Sequence, residues 1–244
     1  APVVVGQDPF DVELVWDKMY AMMRGRGHSK GFVVEAMSAV DIALWDIIGK
    51  ALGQPLYRVL GSYGRSSLPV YASSLLFKPI EELVREATGL AAQGYTAMKL
   101  KIGEGVEADL AKVRALRKAL GDGVRLMVDA NCAYDTLAAL QVGRLLEAER
   151  VAWFEEPVAP ELLDGYVKLA QALDMPIAGG ETEFTRWAFK EILVRQAMDI
   201  IQPDIGRVGG FSEARKIAAL ASAFDVPVGP HTGASAAVAV AASI

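Results

Sequence analysis

Six titratable residues recur along the chain at nearly constant intervals: Lys101, Asp129, Glu155, Glu181, Asp204 and His231 are separated by 28, 26, 26, 23 and 27 residues. Asp129, Glu155 and Glu181 are consecutive members of the series. Three carboxylates drawn together repel one another until they take up protons or a cation. Oxygen donors without a cysteine or histidine cluster select a hard divalent ion, Mg²⁺ or, in the same class, Mn²⁺. In Lys99-Leu100-Lys101 the period of two of a strand sends both lysines to one face. Crowding and lost hydration are expected to lower their pKa towards the range of a working base. Asp204 and His231 read as a pair, in which a carboxylate holding Nδ1–H leaves Nε2 free to act as acid or base. Asn131 shares a face with Asp129, where it either reaches a substrate or stabilises its own turn.

Such a series needs a repeating scaffold. Short apolar runs at 70–73, 97–102, 125–129, 152–155, 176–181, 199–204 and 226–231 alternate with amphipathic segments at 80–93, 107–120, 136–149, 162–173, 185–198 and 210–224. Strand then helix at this length means parallel βαβ units. The regular repeat, with no glycine-rich dinucleotide turn after the first strand, predicts an α/β (β/α) barrel of the TIM type. In it every member of the series would meet at the C-terminal mouth. Seven strands do not complete eight, so the chain reads as a fragment that stops in a helix starting near Gly233. The opening residues are helical instead: Asp8 and Pro9 start one helix with Val12, Trp16, Met19 and Met23 at helical spacing. A second, from Val34 to Leu52, carries Met37, Val40, Leu44, Ile47 and Ile48 as its apolar stripe. Residues 1–64 are therefore expected to form a helical segment and residues 65–244 the barrel. Glu156 would face away from Glu155, Cys132 reads as a small buried residue, and Gly206 to Gly210 as a turn into a helix.

Composition narrows the function. The 244 residues carry 25 Lys and Arg against 30 Asp and Glu, a net charge of −5, which excludes a nucleic-acid binder with a broad basic face. With 52% hydrophobic residues the chain is not disordered. The longest stretch without Asp, Glu, Lys or Arg, 226–244, contains Pro227, Gly229, Pro230 and Gly233 and is not expected to span a membrane. A single cysteine and no basic region ahead of an apolar run at the start predict a cytoplasmic protein.

Lys99-Leu100-Lys101, Val128-Asp129-Ala130-Asn131, Phe154-Glu155-Glu156-Pro157, Gly180-Glu181, Gln202-Pro203-Asp204 and Pro230-His231 together resemble the mandelate racemase subgroup of the enolase superfamily. The stretch from Ala39 to Asp46 and the following Leu56 to Gly61 resemble the segment ahead of that family's barrel, which implies that residues 1–64 are a helical remnant of its capping domain. The resemblance implies Mg²⁺ on Asp129, Glu155 and Glu181, with Lys101 as one acid/base. The His231–Asp204 dyad would serve as the other on the opposite face of the substrate, and Lys99 would hold the substrate carboxylate. It implies a lyase that dehydrates a small anionic sugar acid to a 2-keto-3-deoxy acid through an enediolate, acting in a homo-oligomer. A racemase or epimerase of a 2-hydroxy acid would use the same bases, and a non-catalytic barrel scaffold is the reading from another class. Against the family pattern the chain lacks the αβ capping part and the eighth strand.

Overall fold

A computed structural model describes residues 3–61 and 67–233; the expected helix near Gly233 lies outside the described residues. The chain divides into two compact units that do not follow chain order. One comprises Ala1–Leu68, Gly180–Leu193 and Ile201–Ile244, the other Pro69–Gly179 and Val194–Ile200.

In the first unit a single 3-10 turn, Pro9–Asp11, begins where the Asp8 side chain accepts the Phe10 N–H, and it leads into α1 (Val12–Arg24). α1 buries Val12, Val15, Trp16, Met19 and Tyr20, a stripe at intervals of three and four. α2 (Phe32–Leu52) ends at Gly53, whose φ of 61° is the left-handed turn that closes the helix. Its buried face includes Met37, Asp41, Leu44, Trp45 and Ile48; Ile47, expected on that face, is exposed and the charged Asp41 is inside instead. α3 (Leu56–Val59) follows. Trp16, Met19, Met37, Leu44, Trp45 and Ile48 form one apolar cluster.

The second unit carries the alternating pattern: β1 (Ala72–Leu75), α4 (Ile80–Ala92), β2 (Ala97–Lys101), α5 (Val106–Leu120), β3 (Arg125–Asp129), α6 (Thr136–Ala148), β4 (Phe154–Glu155), α7 (Leu163–Ala172) and β5 (Ile177–Gly179). The chain continues through α8 (Thr185–Val194), β6 (Ile200–Ile201), α9 (Ile205–Val208) and α10 (Gly210–Ala223). The sheet order is β1-β2-β3-β4-β5-β6, and the pairs from β1 to β5 are parallel. Strands in sequential order, most followed by a helix, are the expected (β/α) arrangement. The sheet residues Met98, Leu100, Leu126, Val128, Phe154 and Ile177 are fully buried.

The seventh run, 226–231, differs from expectation. It forms no named strand and makes only isolated parallel bridges, Val228 with Ile201 and His231 with Asp204. Pro203, between the two bridged positions Ile201 and Asp204, has no N–H with which to continue the ladder. The bridging bonds run from Gly229 N to Ile201 O and from His231 N to Pro203 O. Among the described residues no helix is long and apolar enough to cross a membrane.

Candidate active site

Register explains the first half of the series. Lys101 pairs level with Asp129, and Asp129 level with Glu155, so three adjacent strands end on three charges. Lys101 Nζ donates to Asp129 Oδ2 and to Asn131 Oδ1, both at 2.5 Å. Lys99 Nζ donates to Glu155 Oε1 and lies 3.3 Å from Asp129 Oδ2. Of the two roles left open for Asn131, the structure shows the turn. Its N–H donates to Asp129 Oδ1 at 2.9 Å within a turn of φ 42°, and its side chain accepts from Lys101.

Asp129 and Glu155 are fully buried and Lys99 nearly so, an arrangement that is stable only because each charge is paired. Burial presses the Lys99 ammonium towards neutrality, but the Glu155 and Asp129 carboxylates outweigh it and hold its pKa above the usual lysine value. The lowered pKa expected for Lys99 is therefore wrong, because crowding between the two lysines is a smaller effect than the two carboxylates between them. Asp129 shows the converse: burial pushes its carboxyl up, while Lys99 and Lys101 together pull it below the usual range. Lys99 is thus a fixed cation rather than a base. Trp153, which sequence reasoning missed, donates its indole N–H to Glu155 Oε2 at 3.1 Å and meets the Tyr71 ring edge-on at 5.4 Å. Its signal was available, since Trp153 precedes Glu155 by two and so shares its face.

Glu181, Asp204 and His231 lie together in the other unit. Asp204 starts α9 and uses its two oxygens differently: Oδ1 accepts the Gly206 N–H at 2.8 Å, and Oδ2 faces His231 Nδ1 at 2.8 Å. An ionised carboxylate only accepts, so Nδ1 carries a proton. Burial works to raise the Asp204 carboxyl, but the His231 contact and the Gly206 N–H outweigh it and hold it low. Nε2 points at Glu181 Oε2, 3.1 Å away. That approach is an ion pair only when the ring is protonated; with neutral imidazole, Glu181 Oε2 is a buried oxygen with no hydrogen-bond donor. The Arg207 guanidinium donates to the Glu181 backbone carbonyl at 3.3 Å.

Gly206 to Val208, expected in a turn into a helix, belong to the one-turn helix α9, and Gly209, with a φ of 117°, is the link into α10. Cys132 is half-buried rather than buried, because its φ of 65° belongs to the same turn as Asn131.

Residues 1–61 match the mandelate racemase / muconate lactonizing enzyme N-terminal domain, and residues 82–244 match the enolase C-terminal domain-like family. The chain is 40% identical over 232 residues to a D-galactarolactone cycloisomerase of Agrobacterium fabrum, covering 93% of this chain and 61% of that protein. It is 38% identical over 234 residues to an arabinonate dehydratase of Saccharolobus solfataricus, covering 94% and 62%. The crystal structure of an L-talarate dehydratase from Polaromonas sp. JS666, complexed with Mg and L-glucarate, superposes with a TM-score of 0.90 at 36% identity, covering 99% of this chain and 68% of that one. The chain thus spans about three fifths of the length of the curated relatives it matches. With both family domains matched in order and Lys101, Asp129 and Glu155 seated at strand ends, this chain belongs to the mandelate racemase subgroup of the enolase superfamily.

Proposed function

We propose that the protein of which this chain is part is a Mg²⁺-dependent sugar-acid dehydratase. It would remove the proton α to a carboxylate and then expel the β-hydroxyl, giving a 2-keto-3-deoxy acid. The observation that carries the reading is the dyad: His231 has Nδ1 fixed on Asp204 and Nε2 aimed at the donorless Glu181 oxygen, which places a proton carrier against a carboxylate with unused coordinating capacity.

Asp129, Glu155 and Glu181 would hold the ion. The donors fit: all are carboxylate oxygens, Asp129 and Glu155 are level in the sheet, and Glu181 follows three residues after Ala178, the residue level with Glu155. Mg²⁺, when bound, stabilises negative charge developing on the substrate carboxylate as a Lewis acid. Lys99, held cationic, neutralises part of the anionic substrate. Lys101 Nζ would take or return the α-proton on one face, positioned by Asn131 Oδ1. His231 Nε2 would serve the other face and, once protonated, hand its proton to the departing β-oxygen.

A ring-opening isomerase is the second reading, favoured by the 40% identity to a cycloisomerase. Where the β-oxygen belongs to a ring, the same elimination opens the ring and loses nothing. Racemisation or epimerisation would stop at proton return, and a scaffold would do neither. Incubating the protein with Mg²⁺ and a panel of sugar acids, lactones and anhydro acids in D₂O separates these. Keto acid lacking one water supports dehydration, keto acid isomeric with its substrate apart from the deuterium taken up at C3 supports ring opening, and α-deuterium alone supports racemisation. No reaction with any substrate would remove the enzymatic reading, and turnover unchanged in both Lys101→Ala and His231→Asn would overturn the assignment of the two bases.

A further inference from the structure

The turn that follows Lys101 is fastened by a carboxylate that the chemistry above does not use. Asp109, in the first turn of α5, is fully buried. It accepts the Gly103 N–H on Oδ2 at 2.8 Å and the Glu104 N–H on Oδ1 at 3.3 Å, and the Tyr134 hydroxyl also donates to Oδ2. Tyr134 stands at the far end of the turn that begins with Asn131. That turn is itself fixed to the next strand end, with Cys132 N donating to Glu156 O at 2.8 Å and Tyr134 N to Pro157 O at 3.3 Å.

One carboxylate therefore ties together the turn leaving Lys101 and the turn carrying Asn131, the two groups that meet at 2.5 Å. The turns also touch directly. Gly103 has a φ of 127°, and a Cβ there would lie 2.7 Å from the Ala133 Cβ, so no side chain fits between them. An acidic residue in a first helical turn ordinarily faces water and favours the helix dipole. Asp109 instead turns inward and spends its acceptor capacity on two neighbouring turns.

We propose that Asp109, with Tyr134 as its partner, is a positioning residue for Lys101: it clamps the β2–α5 and β3–α6 turns so that the ammonium stays aimed along the Asn131 and Asp129 oxygens. The inference rests on the reading of Lys101 as the base for one face of the substrate. A displacement of about 1 Å in such a group lowers rates by about 100-fold, so a clamp on the turn reaches the chemistry without touching the substrate.

The test uses Asp109→Asn and Tyr134→Phe in the otherwise unchanged protein, with hydrogen exchange of the Gly103 and Glu104 amides measured beside α-proton exchange on two epimeric acids, one deprotonated from the Lys101 face and one from the His231 face. The clamp predicts faster amide exchange at both positions. It also predicts an about 10-fold or greater loss of α-exchange on the Lys101 face, with KM and the His231-face rate within about 3-fold. Tyr134→Phe, which removes only the hydroxyl, should show the same selectivity more weakly and decides the matter if Asp109→Asn does not fold. Equal loss on both faces would reduce Asp109 to a general structural role and overturn the proposal, as would unchanged amide exchange. A wild-type protein that exchanges no α-proton on any acid overturns the proposed function and this inference with it. That outcome is distinct from failure of the clamp alone, in which the wild type exchanges normally.

Discussion

At the scale of single residues the two proposed proton carriers are held in different ways. Lys101 is held by acceptors, Asp129 Oδ2 and Asn131 Oδ1, whereas His231 is held through its tautomer by Asp204. Asp204→Asn tests the second. An Asn in that place can donate from its amide to Nδ1, moving the ring proton to Nε2, where it blocks proton abstraction. In a Ser-His-Asp triad the same exchange of carboxylate for amide lowers turnover by about 10⁴-fold, and a loss approaching that order, with little change in substrate affinity, is expected here. Steady-state kinetics on any accepted substrate check it; a variant within about 3-fold of wild-type kcat contradicts the orienting role.

Among the elements, α2 and α10 meet through polar groups that the hydrophobic pattern does not reveal. Asp41 Oδ2 accepts the Ser212 N–H at 3.0 Å in the first turn of α10, and its Oδ1 is buried without a partner. Beside it Trp45 Nε1 donates to Ser212 Oγ at 2.9 Å, Gly209 N donates to Ser38 Oγ at 2.9 Å, and Trp16 Nε1 donates to Gly209 O at 2.7 Å. Burial, with the Glu13 charge added, outweighs the Ser212 and Phe211 contacts and raises the Asp41 pKa to about 6. A carboxyl near 3.9 when unfolded therefore keeps its proton longer in the folded state. The stability it adds, roughly 3 kcal/mol, is complete only below about pH 4 and is lost as pH rises through about 6. Between pH 5 and pH 7 the loss amounts to about 1–1.5 kcal/mol. Urea unfolding at those two pH values should show wild type losing this much relative to Asp41→Asn; parallel shifts in the two proteins would refute it.

Gly210 belongs to the same junction. Its φ is 81°, and a Cβ would fall 2.3 Å from Asp41 Oδ2, so Gly210→Ala must move the carboxylate or the start of α10. Strain and overpacking together cost about 2–4 kcal/mol, readable in the same unfolding experiment. A change under about 0.5 kcal/mol would mean that the junction yields freely.

For the molecule as a whole, the period of the strands made the α/β repeat legible, because each βα unit has nearly the same length and each site residue ends a run. Lys101, Asp129 and Glu155 were found by interval alone, since parallel register turns equal spacing along the chain into level positions in the sheet. The seventh run pairs in the expected parallel sense but only through isolated bridges, because Pro203 between them removes a donor that a continuous ladder needs. Asp41 and Asp109 were invisible for another reason: a charged residue on an amphipathic helix reads as solvated, and only tertiary partners show that it is inside. The net charge of −5 does not oppose the proposed anionic substrate: three carboxylates with a bound Mg²⁺ would sum to −1, and Lys99 and Lys101 bring that local balance to +1.

The proposed chemistry stands or falls with one hard cation held jointly by Asp129, Glu155 and Glu181. Calorimetric titration with Mg²⁺, on the wild-type protein and on Glu181→Gln, decides it without any need for a substrate. One Mg²⁺ per chain is expected in the wild type, with at least about a 10-fold weaker affinity in Glu181→Gln, as when a carboxylate ligand is replaced. Equal Mg²⁺ binding by the two proteins, or none by the wild type, would be incompatible with a shared ion.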